Sequence, residues 1–216
     1  MQAEACPVVA AALEYSSAFE KEEVRDAMIE RRLILFEKPG PENTQATIEA
    51  AKERAELLGI RQVVAATNTG DTALRATQTF QGTQATIIGV TLHAGWWKTY
   101  QPPDPEIVRQ AEQLGVHFLT GTHTLSGGVS AAAKTAFGGL PDTELISHVY
   151  YTLGQGVKVA VEVAIMAADA GLLDMQKEAI AIAGTGRGAD TALVLKPVYS
   201  CDFFNLKIAE IIAMPR

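Results

Sequence analysis

The chain has 216 residues, 48% of them hydrophobic, a length and composition that allow one domain with a core of ordinary size. With 20% charged residues and a net charge of −7, it lacks the broad basic field that draws in nucleic acid or an anionic membrane, although a local cationic site can still hold a small anion. Cys6 and Cys201 are too few for a disulfide framework, and without a CxxC or His-rich cluster no metal site is expected.

The first 32 residues stand apart. MQAEACPVVAAALEY has no basic segment of the kind that opens a secretory signal, and no apolar run approaches the roughly twenty residues of a membrane span. A cytoplasmic protein with no membrane partner is therefore expected. EKEEVRDAMIERR is highly charged and carries only a narrow apolar stripe of Phe19, Val24, Ala27 and Met28. Residues 1–32 read as an appended helical extension that packs on the domain or on a neighbouring subunit, hence an expected homo-oligomer.

From Leu33 to Arg216 short apolar runs alternate with helical patterns, the signature of an α/β layer fold. Leu33 to Phe36 predicts the first strand. A helix follows on Ile48, Ala51, Ala55 and Leu58, with Pro41 at its start and Gly59 as a left-handed cap. QVVAAT is a second strand, Gly70 to Phe80 a helix, and ATIIGVTL a third strand. In PDPEIVRQAEQLG, Asp104 is the N-cap, with Pro105 behind it, of a helix ending at Gly115, and VHFLTGT follows as a strand. Helical patterns then cover Ser126–Phe137, Asp142–Leu153 and VKVAVEVAIMAADAGLL; AIAIAG and TALVLKPV are strands around GTGRGAD, and the chain closes on the apolar KIAEIIAMP.

In an open parallel sheet, ligands bind outside the carboxyl ends of the strands, where loops lead into helix N-termini. Small polar residues gather at such ends here: Lys38, Gly40 and Asn43 after the first strand, Thr67, Asn68, Gly70, Asp71 and Thr72 after the second, His93 and Gly95 after the third, Thr122 and His123 after the fourth. One N-cap would use one residue of the Thr67–Thr72 run, so the run points to a ligand rich in oxygen, such as a phosphate. GTGRGADTA adds Gly184, Gly186, Arg187, Gly188, Asp190 and Thr191, and its GADTA repeats the GDTA of residues 70–73. Its glycines can aim backbone N–H groups inward and Arg187 offers a fork of donors to an anion; a tight hairpin with Arg187 in solvent explains the glycines equally well. The spacing matches neither GxGxxG nor GxxxxGK[ST]. Lys38 is read either as a solvated charge or as a phosphate contact.

A single histidine at a strand end is commonly structural, whereas two at adjacent ends, His93 and His123, point to a pocket. Glu162 and Asp169, with Lys158 four residues before Glu162, read as a solvent-facing helical stripe and not as working acids. Trp96 and Trp97 are read as a core or subunit contact in preference to a stacking platform.

EKPGPENT, TNTGDTA, THTLSGG, VEVAIMAADAG, GTGRGADTA and the closing EIIAMPR resemble, in order, the small stand-alone proteins related to the C-terminal α/β domain of pyruvate kinase. The resemblance implies a three-layer α/β/α sandwich on a mixed five-stranded sheet whose last strand is antiparallel. It does not imply pyruvate kinase activity, because this sequence has no room for the barrel that transfers phosphoryl groups. It implies flavin mononucleotide as cofactor, since the stand-alone relatives are associated with it, and a phosphorylated ligand more generally, since the related domain of the full enzyme binds a phosphorylated effector. Whether a reaction is catalysed stays open. The competing readings are a flavoprotein of unnamed substrate, a non-catalytic sensor for a phosphorylated metabolite, and an oligomer-forming scaffold.

Overall fold

A computed structural model describes residues 29–216. The chain divides between Arg32 and Leu33; the helix expected in residues 1–28 lies outside the described residues. Seven strands form one mixed sheet: β1 (Ile34–Phe36), β2 (Gln62–Ala66), β3 (Thr86–Thr91), β4 (His117–Thr120), β5 (Ala179–Ala183), β6 (Thr191–Lys196) and β7 (Lys207–Pro215), in the order β1-β7-β6-β5-β2-β3-β4. β2 runs parallel to β5 and β3, β3 to β4, and β1 to β7, while β6 is antiparallel to both of its neighbours. β6 is thus the one strand that opposes the rest, while the last strand, β7, is antiparallel to β6 and parallel to β1.

The two strands beyond the expected five have a simple origin. The closing KIAEIIAMP, for which sequence pattern assigned no element, is β7, and it supplies the partner for the short β1 through Ile34 opposite Ala213. Its burial alternates only weakly along its length, so neither a strand nor a helix period stands out.

Helices α1 (Thr44–Leu58), α2 (Asp71–Thr79), α3 (Pro105–Gln113), α4 (Gly128–Phe137), α5 (Asp142–Tyr151) and α6 (Gln155–Asp169) complete the layers. Val63, Ala65, Ile180 and Ile182 point to one face, where Ile48, Ala51 and Ala55 of α1, Ala73 and Ala76 of α2, and Ala111 of α3 cover them. Val64, Ala179, Ala181, Ala183 and Leu193 point to the other, under Val157, Val161, Ala164 and Ala168 of α6. This is the strict two-residue alternation of strands buried on both faces. α5 packs on α6, whereas α4 buries no residue and leaves Val129 and Phe137 exposed.

The caps act as their residue types require. Gly59 closes α1 in the left-handed conformation at φ 66°. The Asp104 carboxylate accepts the N–H groups of Glu106 at 2.9 Å and Ile107 at 3.3 Å to start α3. Among the described residues no helix is long and apolar enough to cross a membrane.

Candidate functional site

The parallel strands β5, β2, β3 and β4 are adjacent, with Ala65 opposite Ile182, Ala66 opposite Val90, and Thr91 opposite Thr120. Their carboxyl ends therefore form one edge, and at a strand spacing of ~4.8 Å the row of tips spans about 14 Å. The predicted residues fall there in three groups.

The first group surrounds the β5–β6 hairpin. Asp190 is fully buried, and its Oδ2 accepts the N–H of Gly40 at 3.3 Å and of Thr185 at 3.1 Å, while Oδ1 accepts the Thr191 hydroxyl at 2.8 Å. The inside of the glycine loop thus already holds a carboxylate, and Asp190 and Thr191 bond to each other and to the backbone around the hairpin. Gly188 lies against Pro41 and Thr44, where a Cβ would come 2.4 Å from the Thr44 hydroxyl. That hydroxyl accepts the Ala189 N–H at 2.9 Å and donates to the Pro41 carbonyl at 2.6 Å, stitching the hairpin to the start of α1. Gly184 is half-buried against the backbone of Gly188 and Ala189. Gly186 and Arg187 remain exposed at the tip, as does Lys38, whose carbonyl accepts the Asn43 side-chain amide at 2.8 Å. Of the two alternatives weighed for GTGRGAD, the structure has the tight hairpin with Arg187 exposed at its tip.

The second group, at the tip of β2, packs tightly. The Thr67 hydroxyl accepts the N–H of Gly70 at 3.1 Å, and Thr67 and Thr72 are buried. Gly70, at φ 103°, lies against Ile107 and Val108 of α3, and the Thr69 carbonyl accepts the Asp104 N–H at 3.0 Å. Asn68 is half-buried and Asp71 exposed. Much of this run turns the chain into α2 and binds it to α3.

The third group joins His93 and His123, whose ring centroids are 5.6 Å apart, and adds Trp96, at 4.5 Å from His93 and 5.2 Å from His123. Gly127 permits this, because a Cβ there would come 2.9 Å from the Trp96 ring. Gly95 lets the His93 ring fold back over the chain, and Thr122 is exposed beside it. The Trp96 expectation is corrected: the half-buried indole packs against the two imidazoles, tilted 41° to His93 and 39° to His123, instead of entering the core. Trp97 is 36% exposed, with its indole N–H donated to the Leu92 carbonyl at 2.9 Å.

Beneath this group lies a charged network that the stripe reading missed. Twelve residues of the fifteen-residue α6 are buried, among them Lys158 and Glu162, so the predicted solvent-facing stripe is an interior ion pair. Lys158 Nζ donates to Glu162 Oε2 at 2.5 Å and to the Ser126 hydroxyl, and Glu162 Oε1 accepts the N–H groups of Leu125 and Ser126, each at 2.8 Å. His123 Nδ1 lies 3.1 Å from Glu162 Oε2. Burial pushes the Glu162 carboxyl up, but the His123 bond and the Lys158 charge outweigh it and hold the group at about 2. Burial, and then the neighbouring His123, lower His93. Asp169 does not share this setting; it is exposed and accepts the Ser200 N–H at 2.9 Å. His93 Nε2, His123 Nε2 and the Thr124 hydroxyl are buried with no hydrogen-bond partner among the described residues.

Two concavities, of about 310 and 590 Å³, open at the opposite, amino-terminal edge around Gly59, Ile60 and Arg61. Neither is lined by a predicted site residue. Among the described residues no three His, Cys, Asp or Glu side chains converge as metal ligands.

A mixed α/β/α sandwich with its polar loops gathered at the carboxyl edge defines an open-sheet α/β domain. The family model "Pyruvate kinase, alpha/beta domain" matches residues 45–195, and the chain belongs to that family. Similar solved structures include a pyruvate kinase from Cryptosporidium parvum, at 16% identity and a TM-score of 0.40 over 89% of this chain and 26% of that one. The Cryptosporidium parvum pyruvate kinase in complex with ADP is similar at 18% identity and a TM-score of 0.37, over 89% of this chain and 26% of that one. A further structure of the same enzyme gives 16% and 0.37, over 87% and 25%. The chain spans about a quarter of the length of these kinases.

Proposed function

We propose that this domain binds a small phosphate-bearing ligand along the carboxyl edge of the sheet, with flavin mononucleotide the species expected. The observation that carries the reading is the row of four adjacent strand tips, with the exposed Arg187 at its β5 end and Trp96 over two histidines at its β3–β4 end. The guanidinium presents a planar fork suited to phosphate oxygens, and Lys38 carries a second exposed cation. The aromatic group at the other end suits a flat ring. Because Asp190 fills the hairpin interior, the phosphate belongs on the outer side of the tip. When bound, a flavin supplies electron transfer, and the protein's part is to hold and orient it.

The test is a thermal-shift comparison of flavin mononucleotide, riboflavin, sugar phosphates and nucleotides, joined to a visible spectrum of the purified protein. A ligand at a hundred times its dissociation constant adds about 2.7 kcal/mol of stability. Stabilisation by flavin mononucleotide above riboflavin supports the reading. Stabilisation by sugar phosphates alone moves it to a sensor of phosphorylated metabolites, and no shift with any phosphate-bearing compound refutes it.

A further inference from the structure

The histidine group has a polarity that a structural role does not account for. Glu162 receives Lys158 Nζ and two backbone N–H groups, so it is a carboxylate and can only accept. His123 Nδ1, 3.1 Å from Oε2, must then be the donor. A neutral His123 in this bond carries its proton on Nδ1 and its lone pair on Nε2, on the far side of the ring from Glu162. The His123 side chain is 7% exposed, and its Nε2 meets no partner among the described residues. Leaving a buried acceptor unpaired is costly, and a histidine needed only to hold the loop would be expected to satisfy both nitrogens. Here one nitrogen is held by a buried carboxylate and the other has no partner, in a ring whose centroid lies 5.6 Å from that of His93 and 5.2 Å from that of Trp96.

We infer that His123 is a proton-accepting residue, positioned by Glu162, for a flat small molecule that carries an acidic O–H or N–H and enters by displacing the Trp96 indole. In the step, the ligand's O–H or N–H bond breaks and its electron pair stays on the ligand heteroatom. The proton adds to His123 Nε2, and the resulting imidazolium keeps its Nδ1–H on Glu162. Lys158, itself 2% exposed and 2.5 Å from Oε2, helps to keep Glu162 ionised. Burial favours the uncharged form of His93, so an occupant of the slot meets no fixed charge from that ring. This reading concerns the aromatic end of the edge that the proposed function gives to the ring of the ligand, but its tests read the His123 ring alone and keep their meaning whether or not Arg187 meets a phosphate.

Two measurements on the full chain test it. Nitrogen NMR of the histidine side chains should show His123 protonated on Nδ1 with a bare Nε2, and Glu162→Gln should move the proton to Nε2, since the amide can donate to Nδ1. Diethyl pyrocarbonate, which acylates only an unprotonated imidazole nitrogen, should label His123 about tenfold faster in Trp96→Ala, where the indole cover is gone, than in the wild type. A wild-type His123 protonated on Nε2 would overturn the inference even if Glu162→Gln fails to fold. So would a folded Trp96→Ala protein in which His123 is labelled no faster than before.

Discussion

Glu162 is where the geometry makes its most quantitative demand. A carboxyl held at about 2 instead of its ordinary 4.5 corresponds, at about 1.4 kcal/mol per pH unit, to about 3 kcal/mol of folding stability tied to its ionised form. Breaking a buried ion pair from one side independently suggests about 3–5 kcal/mol. Glu162→Gln preserves an oxygen for the amides of Leu125 and Ser126 but leaves the Lys158 ammonium, 2% exposed, with no counter-ion. The variant should lose about 3 kcal/mol at pH 7, roughly 6–12 °C in Tm for a domain of this size. The sign of the pH effect follows from the direction of the shift. Because the folded value is depressed, the contribution is complete above about pH 4.5 and is lost as pH falls toward about 2. Urea unfolding of both proteins at pH 7, 5, 4 and 3 should therefore show the gap closing as acid is added. Adding Lys158→Met to Glu162→Gln should recover part of the loss at pH 7, since the orphaned charge is then gone. A gap of equal size at pH 7 and pH 3 would refute the assignment of this stability to the buried carboxylate.

Three further outcomes are expected. Arg187→Ala should weaken flavin mononucleotide about ten- to a hundredfold by fluorescence titration, the loss of a charge-assisted bond worth roughly 1.5–3 kcal/mol, while riboflavin binding stays unchanged; an equal loss for both would place Arg187 away from the phosphate. Asp190→Ala should cost about 3 kcal/mol in urea unfolding, because two backbone N–H groups lose a charged acceptor, and Asp190→Asn should cost less. Gly156→Ala should destabilise by about 1–3 kcal/mol despite the better helix propensity of alanine, since its Cβ would come 2.0 Å from the Thr191 hydroxyl and 2.9 Å from Asp190; a stabilised variant would show that the hairpin yields easily.

The layers were legible wherever one physical signal dominated. AIAIA and TALVL read as buried strands because β-branched and small apolar residues fill them. Gly59 and Asp104 marked helix ends because few residue types satisfy those backbone groups. β7 escaped because KIAEIIAMP lies between the periods, and β1 is too short to announce a partner. At the site, the glycine loop was ambiguous because a hairpin and an anion cradle ask for the same residues, and only the burial of Asp190 separates them. The Lys158–Glu162 pair was placed in solvent on the rule that charges four apart on a helix face outward. The contrary signal was available: VKVAVEVAIMAA surrounds both charges with apolar residues on every side, and a helix apolar all round is a buried one. That Glu162 meets a histidine from 39 positions earlier is a tertiary fact that no local spacing encodes.

α6 connects the two ends of the edge. Its first turn touches the β5–β6 hairpin through Gly156, and its second turn holds the histidine loop through Lys158 and Glu162. Six residues separate Gly156 from Glu162, about 9 Å along a helix axis. The helix is packed closely on the sheet, with Ala160, Ala164 and Ala168 in one buried core with Ala179, Ala181 and Ala183 and with Val157, Val161 and Leu193. The hairpin that presents Arg187 and the loop that presents His123 are therefore fastened to one rigid element at a fixed spacing. A ligand reaching both need order no backbone, and its binding energy is spared that entropic cost. The Trp96 ring packs against two imidazoles and Gly127, so its displacement would break ring contacts and no hydrogen bond within the charged network.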